Sequence, residues 1–345
     1  MGKLFRFAIV SACVLAAVSC TLYDASTSDV KRYALVYGMT NYVVYDSSTD
    51  YNDPNLTYPS ADAKSMAELL AGWGYTVKSR WVDAGSNVYV DGTAVGTLSD
   101  ASAQAPSEDV LKSDMQAIGS QMDSNDLFYF YFSGHGTYDD SGSEYFIPYG
   151  GIVGEKISSG VYAGLNYYYA NADTCVSDTE LGNYLTTYIP TSKRVVTLDT
   201  CYSGGFIGDT LEVDIVADDT NTSSKKTSYS VSASTIASAI ANYAGYTSYS
   251  SDGISPGKAL VVSACGAGEY STETDGYGHG VMTYFLLNTL SKADLNGDGS
   301  VTVLEWYSLA KAGVDEDWNS LSWVKYYGYC MEPRVSGGPV DYVLF

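Results

Sequence analysis

Apolar residues fall along this chain in two alternating kinds of stretch. Short runs with little polar interruption, Tyr33-Ala-Leu-Val-Tyr-Gly38, Leu127-Phe-Tyr-Phe-Tyr-Phe132, Val195-Val-Thr-Leu198 and Ala259-Leu-Val-Val-Ser263, read as strands buried on both faces. Tyr75-Thr-Val-Lys-Ser-Arg-Trp81 reads as a further strand. Between them lie stretches of helical character. One runs over Ser60–Leu70, with Ser60 as N-cap and Gly72 as stop. Others run from a Ser107 cap to about Met122, over Asp173–Tyr188, over Val281–Leu290 and over Val303–Ala310. Val88-Tyr-Val-Asp-Gly-Thr-Ala-Val95, inside 84–102, reads as a small hairpin insertion. The alternation predicts an α/β protein with a mostly parallel central sheet.

Two of these strands end alike. Asp126-Leu-Phe-Tyr-Phe-Tyr-Phe-Ser-Gly-His-Gly136 breaks into glycines around His135, and Arg194-Val-Val-Thr-Leu-Asp-Thr-Cys-Tyr-Ser-Gly-Gly205 breaks just after Cys201. In open parallel sheets the ligand crevice lies outside the carboxyl ends of the strands. Neighbouring strands are about 4.8 Å apart, so an imidazole and a thiol at adjacent ends come within catalytic reach. A lone buried cysteine or histidine is usually packing; two at matching strand ends are hard to explain that way. His279 in Gly278-His-Gly280 is the rival imidazole, expected near a helix start. Cys265 is the rival thiol and reads as core.

The ends of the chain predict export. Lys3 and Arg6 precede an apolar Phe7–Val18 segment too short to span a bilayer, which ends in Leu15-Ala-Ala-Val-Ser-Cys20. This resembles a bacterial lipoprotein signal: residues 1–19 a signal peptide, Cys20 the lipidation site, 20–30 a polar tether. Ala17 stands where leucine is usual. Lipid chains would anchor the protein to a membrane of the cell envelope at about 0.8 kcal/mol per buried methylene; ordinary secretion or a periplasmic location is the alternative. Residues 31–330 are expected to form one domain, with 331–345 a tail whose Pro339–Phe345 stretch could be a last edge strand.

Charge and cysteine content narrow the partners. With 40 acidic against 18 basic residues the net charge is −22, which argues against nucleic acid and is compatible with basic peptides. Six cysteines are too few and too irregular for a disulfide scaffold or a CxxC zinc site, and nothing local supports a Cys175–Cys330 bridge. The 33 tyrosines read as amphipathic loop and surface residues.

Phe132-Ser-Gly-His-Gly136 and Leu198-Asp-Thr-Cys-Tyr-Ser-Gly204 resemble the two catalytic blocks of caspase-like cysteine peptidases, closest to the metacaspase and bacterial caspase-homologue branch. Residues 259–285 look like the small-subunit half of that family. The resemblance implies a three-layer α/β/α fold and an endopeptidase in which Cys201 is the nucleophile, His135 its base, and the amides of Gly136 and Cys201 the oxyanion donors. It implies no third triad carboxylate. It maps the basic-residue pocket onto Asp62, Ser133 and Asp199, hence a peptide or protein substrate cut after Arg or Lys. It also makes 209–257 a linker in which Lys225-Lys226 could be self-cleaved. A catalytically silent binding protein on the same fold, or a legumain-like peptidase or transpeptidase, are the alternatives.

Asp294-Leu-Asn-Gly-Asp-Gly-Ser-Val-Thr-Val-Leu-Glu305 satisfies the twelve-residue calcium-loop pattern at every position. Asp294, Asn296, Asp298, the Ser300 carbonyl, Thr302 (directly or through water) and Glu305 are the candidate ligands. A single such loop is expected to be structural.

Overall fold

An unbroken aromatic run has no polar face to give to water, and Phe128 to Phe132 are wholly buried in the middle of an eight-stranded sheet. The computed structural model describes residues 30–139, 142–207, 231–245, 259–336 and 342–345. The leader, Cys20 and Lys225-Lys226 lie outside them. Lys31–Phe345 forms one unit.

In chain order the first strands are β1 (Arg32–Met39), β2 (Thr76–Val82), β3 (Asn87–Val90), β4 (Thr93–Thr97) and β5 (Leu127–Ser133). Short strands β6 (Gly136–Tyr138), β7 (Glu144–Phe146), β8 (Ile152–Lys156), β9 (Asn166–Ala170) and β10 (Val176–Ser177) follow. The chain continues with β11 (Lys193–Asp199), β12 (Leu260–Ser263), β13 (Glu273–Thr274), β14 (His279–Gly280) and β15 (Arg334–Ser336). The first four helices are α1 (Pro59–Gly72), α2 (Leu98–Ala101), α3 (Glu108–Gly119) and α4 (Asp178–Tyr188). The later ones are α5 (Ala233–Gly245), α6 (Val281–Thr289), α7 (Val303–Gly313) and α8 (Ser322–Tyr327).

The main sheet runs β15-β12-β11-β5-β1-β2-β3-β4. Its five central strands pair in parallel, and the antiparallel β15 and β3–β4 hairpin form its edges. Alternate residues of each strand serve opposite cores. Ala34, Val36, Tyr129, Tyr131 and Val195 pack with side chains of α1, α6 and α7. Leu35, Tyr37, Phe128, Phe130 and Val196 pack with those of α3 and α4. This is the three-layer α/β/α fold.

Four expectations change in detail. Helix α1 is capped two residues early, at Tyr58 in place of Ser60, with Pro59 in its first turn, and the Ser60 N–H donates to Thr40 Oγ1 (2.9 Å); proline suits that turn because its missing N–H has no helical partner there. The hairpin is continuous with the sheet, turning at Asp91-Gly92 with positive φ at both residues. Part of the supposed linker is α5, held to the chain before α8 by Thr235 and Ser238 hydroxyls donating to Glu316. Within the tail the strand at the sheet edge is β15; of the 339–345 stretch, 339–341 lie outside the described residues, and Tyr342–Phe345 pairs with the backbone at 301–303.

Candidate active site

Strands β5 and β11 are neighbours in register, with Asp199 opposite Ser133. The two residues that follow each partner therefore leave the sheet at the same edge. His135 and Cys201 line one cleft together with Leu56, Asp62, Asp199 and Glu273. Tyr202 takes a left-handed backbone (φ 58°), uncommon for a bulky residue, where the chain turns just after the thiol. Gly136 is required by a close approach. A Cβ there would lie 2.1 Å from the Cys201 carbonyl oxygen. Ile147 N–H donates to the His135 carbonyl (2.9 Å), so Gly136 and Phe146 form a non-hydrogen-bonded pair and the Gly136 N–H points away from β7.

His135 is held at three points. Its Nε2 lies 2.8 Å from the Pro54 carbonyl oxygen. A carbonyl only accepts, so Nε2 carries the proton and the neutral ring keeps its lone pair on Nδ1. The His135 N–H donates to Tyr42 Oη (2.8 Å), which donates to the Ile147 carbonyl (3.0 Å), and the Tyr42 ring lies 5.1 Å from the imidazole. Burial lowers the imidazole's proton affinity, opposed by the Pro54 carbonyl. Cys201 Sγ rests 3.6 Å from the Ser271 carbonyl, and its surroundings push the thiol up to about 12, chiefly by loss of solvent. Backbone hydrogen bonds at Ser271 and at Cys201 itself act the other way but are outweighed, so the resting group is the thiol.

The acidic residues sit at the floor of the cleft. Asp62 is 1% exposed and Asp199 4% exposed. Asp62 accepts from Ser133 Oγ (2.8 Å), from the Gly280 N–H and from His279 Nδ1 (2.7 Å). Asp199 accepts from the Thr283 N–H (3.0 Å) and hydroxyl (2.6 Å) and from the Ser271 hydroxyl. Burial first, and the Asp62 charge second, push Asp199 up to about 6. All three residues mapped to the basic-residue pocket are thus brought together. His279 belongs to the acid cluster and not to the thiol, so the rival imidazole is a partner of Asp62. Gly280 is packed so tightly that a Cβ would lie 2.5 Å from Asp199 Oδ2.

Cys265 is fully buried behind the thiol's turn, its Sγ 3.4 Å from the Thr200 carbonyl, as a packing residue should be. Cys175 is buried and Cys330 exposed, both as free thiols, so they form no bridge. Sequence reasoning missed Pro54, Tyr42, Ser271 and Thr283. Two of them act through backbone carbonyls, which any residue type can supply, so no sequence signal marks them.

The calcium-type loop folds around its own carboxylates. Asp294 accepts from the N–H groups of Gly297, Asp298 and Gly299, and Gly297 and Gly299 both have positive φ. Glu305, wholly buried, accepts from the Leu295, Asn296 and Thr302 N–H groups. The donor set is all oxygen, which suits calcium. Among the described residues, however, no three His, Cys, Asp or Glu side chains converge as for a bound metal. Asn296 Nδ2 donates to Asp298 Oδ2.

A buried parallel sheet carrying a thiol and an imidazole at adjacent carboxyl ends defines a class of α/β proteins built for cysteine chemistry. The sequence matches the caspase domain over residues 31–314. The chain belongs to that family of cysteine peptidases, whose substrates are proteins or peptides. Among solved structures, a protein from Geobacter sulfurreducens is similar at 14% identity, with a TM-score of 0.47, over 90% of this chain and 95% of that one. Caspase-1 from Spodoptera frugiperda is similar at 13% identity, with a TM-score of 0.41, over 90% and 87% respectively. No curated protein sequence matches.

Proposed function

We propose that this protein is a cysteine endopeptidase cutting after Arg or Lys. The observation that carries this is the single cleft shared by His135, Cys201 and the buried pair Asp62 and Asp199. His135 Nδ1 takes the thiol proton as Cys201 Sγ adds to the scissile carbonyl carbon. A general base is needed because the resting thiol holds its proton far above neutral pH. The Gly136 and Cys201 amides receive the oxyanion. The imidazolium then protonates the leaving amine as the C–N bond breaks, leaving a thioester. Water, deprotonated by the same imidazole, attacks the thioester and restores the thiol.

Asp62 and Asp199 select the substrate. A guanidinium or ammonium entering beside Ser133 gains charge-assisted hydrogen bonds to carboxylates already stripped of water. Self-cleavage at Lys225-Lys226 follows from the same preference. Calcium would be held by Asp294, Asn296, Asp298, Ser300, Thr302 and Glu305. Bound there it would brace α6 and α7, which lie on either side of the loop. Residues 1–20 would export the protein and anchor it through Cys20 as a lipoprotein.

The test compares wild type with Cys201→Ala on matched Arg, Lys, Asp and Asn peptides, with the intact mass of each protein followed in time. Wild type is expected to cut only the basic peptides and to clip itself, and the variant to do neither. Equal activity in both proteins, or cleavage confined to Asp peptides, would overturn the assignment.

A further inference from the structure

The protonated nitrogen of His135 is set by the Pro54 carbonyl, so whatever holds Pro54 governs the base. Pro54 has no N–H of its own with which to anchor its backbone. The chain before it runs beside β9. Tyr51 N–H donates to the Asn166 carbonyl (2.7 Å), and Asn166 N–H donates to the Thr49 carbonyl (2.8 Å). Asp50 pairs with Asn166 in a parallel bridge, its Oδ1 accepting from Asn166 Nδ2 (2.7 Å) and its Oδ2 from the Asp46 N–H (2.7 Å).

At Asn52 this ladder is continued by a side chain. Asn52 Nδ2 donates to the Tyr168 carbonyl (2.9 Å) while Oδ1 accepts from the Tyr168 N–H (2.8 Å). A carboxamide making both bonds to one residue reproduces a backbone pair. Tyr168 lies two residues beyond Asn166, as Asn52 lies two beyond Asp50, so the parallel register is kept. It ends two residues short of the carbonyl that meets His135. The hairpin of β8 and β9 supplies no side chain to the cleft. Its tip is open to solvent, with Val161 92% exposed, and Tyr162 packs against the Tyr51 ring at 4.7 Å. Beyond Pro54, Asn55 fastens the segment to the other side, its Oδ1 accepting from the Tyr42 and Val43 N–H groups.

We infer that Asn52 is a positioning residue for His135, acting through Pro54, and that the β8–β9 hairpin is the strut against which it works. The inference rests on His135 being the base, but its physical content is the tautomer and orientation of the ring. Loss of the Asn52 bridge removes the last hairpin contact before Pro54 and leaves its carbonyl held only from the Asn55 side, through the Asn55 N–H bond to Asp53 Oδ1 (3.0 Å) and the Asn55 side chain, so the hydrogen bond to Nε2 loosens. Misplacement of a catalytic group by about 1 Å can cost about 100-fold in rate.

The experiment has two arms. Imidazole 15N NMR on the Cys201→Ala protein reads the tautomer without any need for activity. The chain has only two histidines, and His279→Gln assigns the second. His135 is expected as the Nε2–H tautomer. Adding Asn52→Ala should introduce a clear Nδ1–H population, whereas adding Glu155→Ala, which removes an acceptor for Tyr169 on the same hairpin, should leave the ring unchanged. In the active protein Asn52→Ala should lower kcat about 10- to 100-fold with KM within about twofold, and Glu155→Ala should change neither. Should Asn52→Ala fail to fold, Asn52→Asp, which keeps the acceptor and loses only the donor, is read in the same way. An unchanged His135 tautomer on losing the Asn52 donor would overturn the inference, as would equal losses from Asn52→Ala and Glu155→Ala. If the protein hydrolyses no peptide the NMR arm still decides it, so failure of the peptidase reading is told apart from failure of the strut.

Discussion

Asp199 is where stability and selection pull against each other. Its carboxyl is pushed up to about 6, against about 3.9 in an unfolded chain. The folded state therefore holds this proton more tightly, and the stability it contributes is present below about pH 4 and lost as pH rises through about 6. At neutral pH the ionised group costs the fold on the order of 1–3 kcal/mol. Asparagine can still accept from Thr283 and can donate to Ser271. Asp199→Asn is thus expected to raise Tm at pH 7.5 and not at pH 4.5, while raising KM for Arg peptides at least tenfold. Wild-type kcat/KM on those peptides should climb through about pH 6, a limb the variant lacks. A wild-type profile flat from pH 5 to 7 would remove Asp199 from the pocket. Burial lowers His135, and the limb its own titration adds is shared by wild type and variant.

At the scale of elements, the turn after β5 and the turn after β11 touch, and Gly136 is the point of contact. Gly136→Ala would press a methyl group into the Cys201 carbonyl at 2.1 Å, and backbone on both sides has little room to yield. Overpacking of this kind costs about 1–3 kcal/mol. It should also displace both proposed oxyanion donors, for a loss of about 100-fold or more in kcat. Urea unfolding and single-turnover acylation measure the two effects separately. A variant of normal kcat would show that the Gly136 amide takes no part. Both motif blocks were legible because each couples a buried apolar run to an abrupt glycine break. The ends of elements were less so: α1 begins at Pro59, and the pairing strand near the terminus is Arg334–Ser336. A segment as short as β15 is chosen by the free edge of β12, which the local sequence does not describe.

For the whole molecule, the calcium-type loop joins distant parts of the chain. Val301 N–H donates to the Phe345 carbonyl and Leu344 N–H to the Val301 carbonyl, so the terminus is tied to the loop that leads into α7. A cation of about micromolar affinity would stabilise the fold by about 2.7 kcal/mol at a hundredfold excess over Kd. Titration of the metal-free protein with calcium is expected to show one site and a rise in Tm, both abolished by Asp294→Ala together with Asp298→Ala. A flat calorimetric trace from the metal-free wild type would exclude the site.

The sequence by itself determined the layers of this protein and set Cys201 and His135 at two strand ends that line one cleft. Strands with no polar face must be covered on both sides, and a thiol and an imidazole at matching strand ends need only the sheet to become neighbours. Asp62, 71 residues before Ser133, was mapped to the pocket by resemblance; the contact itself came with the packing of α1 on the sheet. The tertiary structure alone decided what holds these side chains in place: the Pro54 carbonyl on His135, the Ser271 carbonyl beside Cys201, and His279 on Asp62. Two of these contacts are made by backbone atoms, which every residue carries alike, and the third joins residues 217 apart. No local pattern records such contacts, because what selects them is the packing of loops above the sheet.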